Sequence, residues 1–184
     1  MKKITEIEAI KNLEGNFIKV FKNKDPFDNC FADNIQAKIL LFPTEGYYFQ
    51  EEQFNVLRQA ISHIGEDVFF ISEIEGNCFS EPLSSGSYEH GHWVGAISST
   101  FEDYTDIPIV VENAVYSTGG NWGAIISHEG HAVLGGSTEL IEQVQSLSPE
   151  YVSCKQKFVD YWEYSQREYG SNIDWLQGFL KQFS

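Results

Sequence analysis

Four of the five histidines sit in two tight pairs, His90-Gly91-His92 and His128-Glu129-Gly130-His131. On a strand, alternate residues share a face. His90 and His92 would then present both imidazoles together, a spacing that a metal ion can use. The second pair adds two imidazoles and the Glu129 carboxylate. Combined, they offer a ligand set for a metal-dependent enzyme using His90, His92, His128 and His131. The spacing argues against it. His-Glu-Gly-His is one residue short of His-Glu-x-x-His, which puts two ligands on one helix face with the glutamate as base. Ile-Ile-Ser before the pair and Ala-Val-Leu-Gly-Gly after it read as strand and turn. His-Gly-His has no carboxylate three or four residues on. The expectation is no bound metal and no cofactor, with these histidines at strand ends bonded to backbone or water.

The other chemical signals are weaker. Ser127 lies in Ile-Ile-Ser-His-Glu, without the Gly-x-Ser-x-Gly frame of a nucleophile elbow. Gly119-Gly120 lacks the lysine and the following helix of a phosphate-cradling loop. Glu73 and Glu75 would share one face of a strand and could do acid–base work, but Gly76-Asn77 follows them, so a solvated edge is the expected role. No catalytic residue is expected.

Positioning these residues falls to a run of β-favouring segments. Ile107–Glu112, Ala114–Ser117, Trp122–Ser127 and Ala132–Leu134 are separated by turn residues, with Thr118–Asn121 a hairpin turn and Gly135-Gly136 a stop. An antiparallel meander is expected there. Ahead of it, Ile4, Ile7, Ile10 and Leu13 predict a short helix over 4–13, stopped by Gly15, then a loop over 16–34 that pins aromatics to the core. Ile35–Phe42 and Asp67–Glu73 read as strands around a helix over Gln50–Ile64. A helical crossover of that kind can make the two strands parallel. Residues 75–91 form the longest loop. His92–Ser98 is a further strand, with a possible bulge at Gly95, and 101–106 a connection. After Ser137 the pattern turns helical. One helix carries Leu140, Val144 and Leu147. A second, opened by Pro149 and ended by Gly170, carries Cys154, Phe158, Tyr161 and Trp162. A third carries Ile173, Leu176, Phe179 and Leu180. The fold class expected is α+β: residues 1–184 as a single domain, a mainly antiparallel central sheet, flanking helices and a helical C-terminus.

The 184 residues suffice for one core, and 42% are hydrophobic. With 27 acidic against 12 basic residues, the net charge of −15 repels a phosphate backbone and suits a basic partner. Plain solubility is the simpler use of that charge. Cys30, Cys78 and Cys154 are odd in number and form no Cys-x-x-Cys, which points to a reducing compartment. No signal peptide or membrane span is expected, and the cytoplasm is the expected location.

The stretch Glu112–Asn121 (ENAVYSTGGN) followed by Trp122–Gly136 (WGAIISHEGHAVLGG), with the aromatic C-terminal helices, resembles small acidic α+β proteins that include immunity proteins of bacterial polymorphic-toxin and contact-dependent growth-inhibition systems. That resemblance implies a protein that binds and neutralises a cognate toxin, expected to be a basic, nuclease-type domain. Such families are too diverse for residue roles to be carried over. From the residues themselves, the expected binding face is the 75–91 loop with its flanks: Glu73, Glu75, Glu81 and Glu89, with Tyr88 as aromatic anchor. A housekeeping protein-interaction module is the remaining alternative.

Overall fold

A computed structural model describes residues 1–79 and 90–183 and builds the meander out to one seven-stranded sheet. The strands are β1 (Lys2–Lys3), β2 (Ala37–Leu41), β3 (Val68–Glu73), β4 (His92–Ala96), β5 (Asn113–Ser117), β6 (Gly123–Ile126) and β7 (Ala132–Gly136). Their order is β1-β4-β3-β5-β6-β7-β2, and every neighbouring pair is antiparallel. The helices are α1 (Ile7–Val20), α2 (Glu51–His63), α3 (Phe101–Thr105), α4 (Thr138–Leu147), α5 (Tyr151–Tyr169) and α6 (Leu176–Leu180). The α+β architecture with an antiparallel sheet and a helical C-terminus is as expected. No described helix is long and apolar enough to cross a membrane.

Because side chains alternate, the strands inside the β1 edge feed two cores. Ile39, Leu41, Phe69, Ile71, Trp93, Val115, Ala124, Ile126 and Leu134 meet Phe54, Leu57 and Ile61 of α2, Tyr104 of α3 and Leu140 and Val144 of α4. On the other face, Leu40, Ala114, Tyr116, Ile125 and Val133 meet Phe17 and Val20 of α1, Phe158 of α5 and Leu176 and Phe179 of α6. Helix α5 serves both cores, since Tyr151 and Cys154 belong to the first and Phe158 to the second. It thereby crosses and covers the β2 edge, which would otherwise expose unpaired backbone groups. The opposite edge is β1, two lysines long. Glycines in β6 and β7 make room for rings laid on the sheet: a Cβ on Gly123 would come within 2.6 Å of Phe21, and one on Gly135 within 2.7 Å of Phe31.

Several sequence expectations are corrected. Helix α1 runs through Gly15 to Val20. A mid-helix glycine costs about 1 kcal/mol, whereas burying Phe17 and Val20 on the continued stripe gains about 1.5–3 kcal/mol each. The expected loop over 16–34 therefore starts later. β2 and β3 point the same way but are not neighbours, because β5, β6 and β7 lie between them. Gly95 is in regular pairing with Phe69 and forms no bulge; it leaves space for the Phe69 ring. Residues 101–105 are helical, opened by a reciprocal Thr100–Asp103 cap. Gly135 and Gly136 belong to β7 rather than ending it.

The largest difference is Ile107–Glu112, expected as a strand and found outside the sheet. Pro108 removes one ladder donor. Three of its amides go to side chains: Ile109 N–H to Tyr48 Oη at 3.1 Å, Val110 N–H to Glu73 at 3.0 Å and Glu112 N–H to Glu75 at 3.2 Å.

At the far end of the β5–β6 hairpin, Glu66 accepts from the Ser117 hydroxyl at 2.8 Å and from the indole N–H of fully buried Trp122 at 3.1 Å. Glu66→Ala leaves that N–H without its partner. The expected cost is about 1–3 kcal/mol, read as a lower denaturation midpoint at unchanged m-value.

Candidate functional site

The four paired histidines all lie at one end of the sheet. Strand β3 ends there, β4 and β5 begin there, and the β6–β7 turn carries His128–His131. Their shared location does not bring the imidazoles together around one point.

His92 is fully buried on the α1 face. Its Nε2 lies 2.9 Å from the Cys78 carbonyl, which can only accept, so Nε2 carries the proton. Nδ1 must then accept, and the Ser72 hydroxyl 2.9 Å away donates to it. Ser72 Oγ in turn accepts from the Tyr116 hydroxyl at 2.9 Å. The relay Tyr116–Ser72–His92–Cys78 is thus fixed in direction from one end to the other. Phe79 stacks on the imidazole at 5.3 Å. A serine hydroxyl polarised by a histidine has the makings of a nucleophile. Here both are sealed from solvent, so the relay binds the chain ahead of residue 80 to the sheet. Desolvation is the main cause that pulls the His92 pKa down to about 4, keeping the ring neutral.

His131 is also fully buried, ringed by Phe27 at 4.7 Å, Phe158 at 5.1 Å and Phe179 at 5.7 Å. Its Nε2–H donates to the Pro26 carbonyl at 3.2 Å, and among the described residues its Nδ1 has no partner. Burial again lowers its pKa to about 4.

His128 behaves oppositely. It is exposed, and its Nδ1–H donates to Glu112 at 2.8 Å. The same Glu112 oxygen receives the Ser127 hydroxyl at 3.1 Å, and Glu129 approaches Nε2 at 3.4 Å. The hydrogen bond to Glu112 leads the causes that raise the His128 pKa, followed after desolvation by the charges of Glu112, Glu129 and Glu75. In an NMR titration His128 is expected to titrate above 6.5, while His92 and His131 keep neutral-ring shifts until the pH nears 4. A His128 that titrates with the buried pair contradicts this arrangement.

His90 is partly exposed and precedes β4, so Gly91 is not in the strand and the alternation expected to align His90 with His92 does not operate. Among the described residues no group of three His, Cys, Asp or Glu side chains could hold a metal. His92 and His131 point into the α1–α5–α6 core, and His128 points to solvent. The candidate set His90, His92, His128 and His131 therefore supplies no common ligand sphere.

Of the residues expected at a partner-binding face, Glu73 is removed from it. It is 5% exposed, and its oxygens accept from Gly91 N–H at 2.6 Å and Val110 N–H at 3.0 Å. It is a buried clamp on two loops, not a solvated strand edge. Glu73→Ala is expected to cost about 2 kcal/mol in chemical denaturation, and Glu73→Lys no less, because both leave those amides without an acceptor. Glu75 is exposed. Glu81, Tyr88 and Glu89 lie outside the described residues. Sequence reasoning missed Glu112, which joins Glu75, Ser127 and His128. No local spacing signals it, because its partners are brought in by the β3–β5 and β5–β6 pairings.

At this end the largely covered Glu112 carboxylate is flanked by the more accessible Glu75 and Glu129, a knot of three carboxylates beside one exposed histidine. It can present negative charge at set positions, and His128 can take up one proton within it. A cleft of about 460 Å³ between α2 and α4 lies at the opposite end, past Ala96. Its Arg58 is already engaged by the Ile97 carbonyl at 2.6 Å, by the Ser99 carbonyl and by Asn55 at 2.8 Å. Compared with protein-family models, curated proteins and solved structures, the chain finds no match.

Proposed function

We propose that this protein is a stoichiometric inhibitor, an immunity protein that binds and neutralises a basic toxin domain of nuclease type. The observation that carries the reading is the carboxylate knot at the histidine end of the sheet, in a chain of net charge −15. The Glu75 carboxylate accepts from the Glu112 backbone N–H, and the Glu112 carboxylate accepts from Ser127 and His128, so both charges hold fixed positions. Fixed charge at an accessible edge raises the encounter rate with an oppositely charged surface and sets its register. The same charge disfavours nucleic acid. The sequence resemblance at Glu112–Gly136 supports the same reading, since that stretch supplies Glu112, Ser127, His128 and Glu129.

The test is to look for a basic toxin domain encoded beside this chain, co-express the two, and measure binding of the purified pair. Rescue of growth and a 1:1 complex are expected. Glu75→Lys and Glu129→Lys should slow association several-fold and flatten its salt dependence, with little change in dissociation. Failure to rescue, with no complex formed, ends the immunity reading.

A further inference from the structure

One helix carries more apolar surface than the fold covers. On α5, Tyr151, Cys154, Phe158 and Trp162 form the stripe that faces the body. Tyr169 continues it, because 18 residues at about 3.6 per turn return to the face of Tyr151. Yet Tyr151 is 9% exposed and Tyr169 is 77% exposed. Between them the cover thins. Phe42 lies against Tyr161 at 5.5 Å, Trp175 against Trp162 at 5.1 Å, and Ser171 bonds Ser165 at 2.7 Å. Past Ser165 all residues to the Gly170 cap are exposed. The last turns of α5 therefore overhang the body, beside Tyr161 and Tyr164, which are 46% and 47% exposed.

The overhang leaves the body at the histidine end of the sheet. Phe42 directly follows β2 there, and Phe158, one turn before Trp162, packs on His131. Its rings are already ordered: Tyr164 and Tyr169 meet edge-to-face at 6.2 Å, and the Arg167 guanidinium sits over Tyr164 at 5.5 Å. Tyrosine, tryptophan and arginine are the residue types from which interfaces draw most of their affinity.

Charge selects the occupant. Asp160, Glu163, Glu168 and Asp174 are exposed along this segment, and its one arginine is paired with Glu168 at 3.1 Å. A second copy of a chain carrying −15 would bring like charge against like, and so would nucleic acid. We infer that the overhanging end of α5, through Tyr161, Tyr164 and Tyr169, is the anchoring surface for a protein partner with a basic face. This deepens the inhibitor reading and rests on it. The aromatic overhang holds the partner, and the carboxylate knot at the same end steers it.

The experiment measures the full-length chain against the purified neighbouring toxin domain by surface-based kinetics, with Tyr164→Ala, Tyr169→Ala, Glu75→Lys and Glu129→Lys as variants. Expected is a loss of roughly thirtyfold or more in affinity for at least one tyrosine variant, carried by faster dissociation at unchanged melting temperature. The lysine variants should act on association. If the wild type binds and both tyrosine variants bind as tightly, the overhang is not the anchor while the inhibitor reading stands. If the wild type does not bind, both fall together. Sedimentation of the chain alone supplies the remaining outcome: a dimer abolished by Tyr169→Ala assigns the overhang to a second copy and overturns the proposal.

Discussion

Between pH 7 and pH 5 the protein is expected to lose about 4 kcal/mol of folding stability through two histidines alone. His92 and His131 have folded pKa values of about 4 against an ordinary 6.5. Below 6.5 the unfolded chain takes up a proton at each, and the folded chain does not until the pH nears 4. Stability from these groups is therefore fully present above about 6.5 and falls as the pH drops, by about 2 kcal/mol per histidine at pH 5 and about 3 kcal/mol at pH 4. His128 works in the other sense. Its raised pKa contributes stability that is present below 6.5 and lost as the pH rises through the folded value, and its exposure keeps that contribution small. Urea titrations at pH 7, 6 and 5 read the sum. His131→Phe removes one titrating ring from a site already walled by Phe27, Phe158 and Phe179, and should roughly halve the slope between pH 6.5 and 4. Equal midpoints at pH 7 and pH 5 for the wild type, or the same slope in the variant, would rule out this account.

Ser72→Ala is the second large effect, expected at about 3–4 kcal/mol. Ser72 is the only link between the Tyr116 hydroxyl and His92 Nδ1 in the relay, and both partners are fully buried. Removing one hydroxyl leaves two interior polar atoms unpaired, each at about 1–3 kcal/mol. Tyr116→Phe added to Ser72→Ala removes one of those orphans, so the double variant should be more stable than the single. That inversion separates loss of hydrogen bonding from loss of packing, for which a second truncation only adds damage. Thermal unfolding of the two variants side by side is the measurement. A double variant clearly less stable than Ser72→Ala means the relay carries little energy.

The elements readable in the chain are those whose causes are local. Helix α2 ends where Gly65 supplies a positive φ of 79°, and α5 ends at Gly170 with a φ of 72°. Strands β5, β6 and β7 follow from short runs of β-favouring residues between turn compositions, and with them an antiparallel meander. The stripe Cys154, Phe158 and Trp162 correctly marks the inward face of α5, and the acidic balance follows from composition alone. Thr100 and Asp103 were also a local signal for the short helix α3.

Other features depend on contacts distant in sequence. Gly15 is a plausible stop until Phe17 and Val20 have a sheet to lie on. Ile107–Glu112 reads as a strand until Tyr48, Glu73 and Glu75 take its amides, the last two from 37 residues away. Period-two alternation puts Glu73 on a face but not inside, and burial came from the two loop amides that close over it. The histidines show the difference most plainly. Their pairing along the chain says nothing of environment, and one end of one sheet makes two of them buried and neutral and the third exposed and held by Glu112. Sequence fixes which groups can titrate. Which of them do so near neutrality depends on desolvation and neighbouring charge, and both arise only when the strands pair and the helices and loops pack over them.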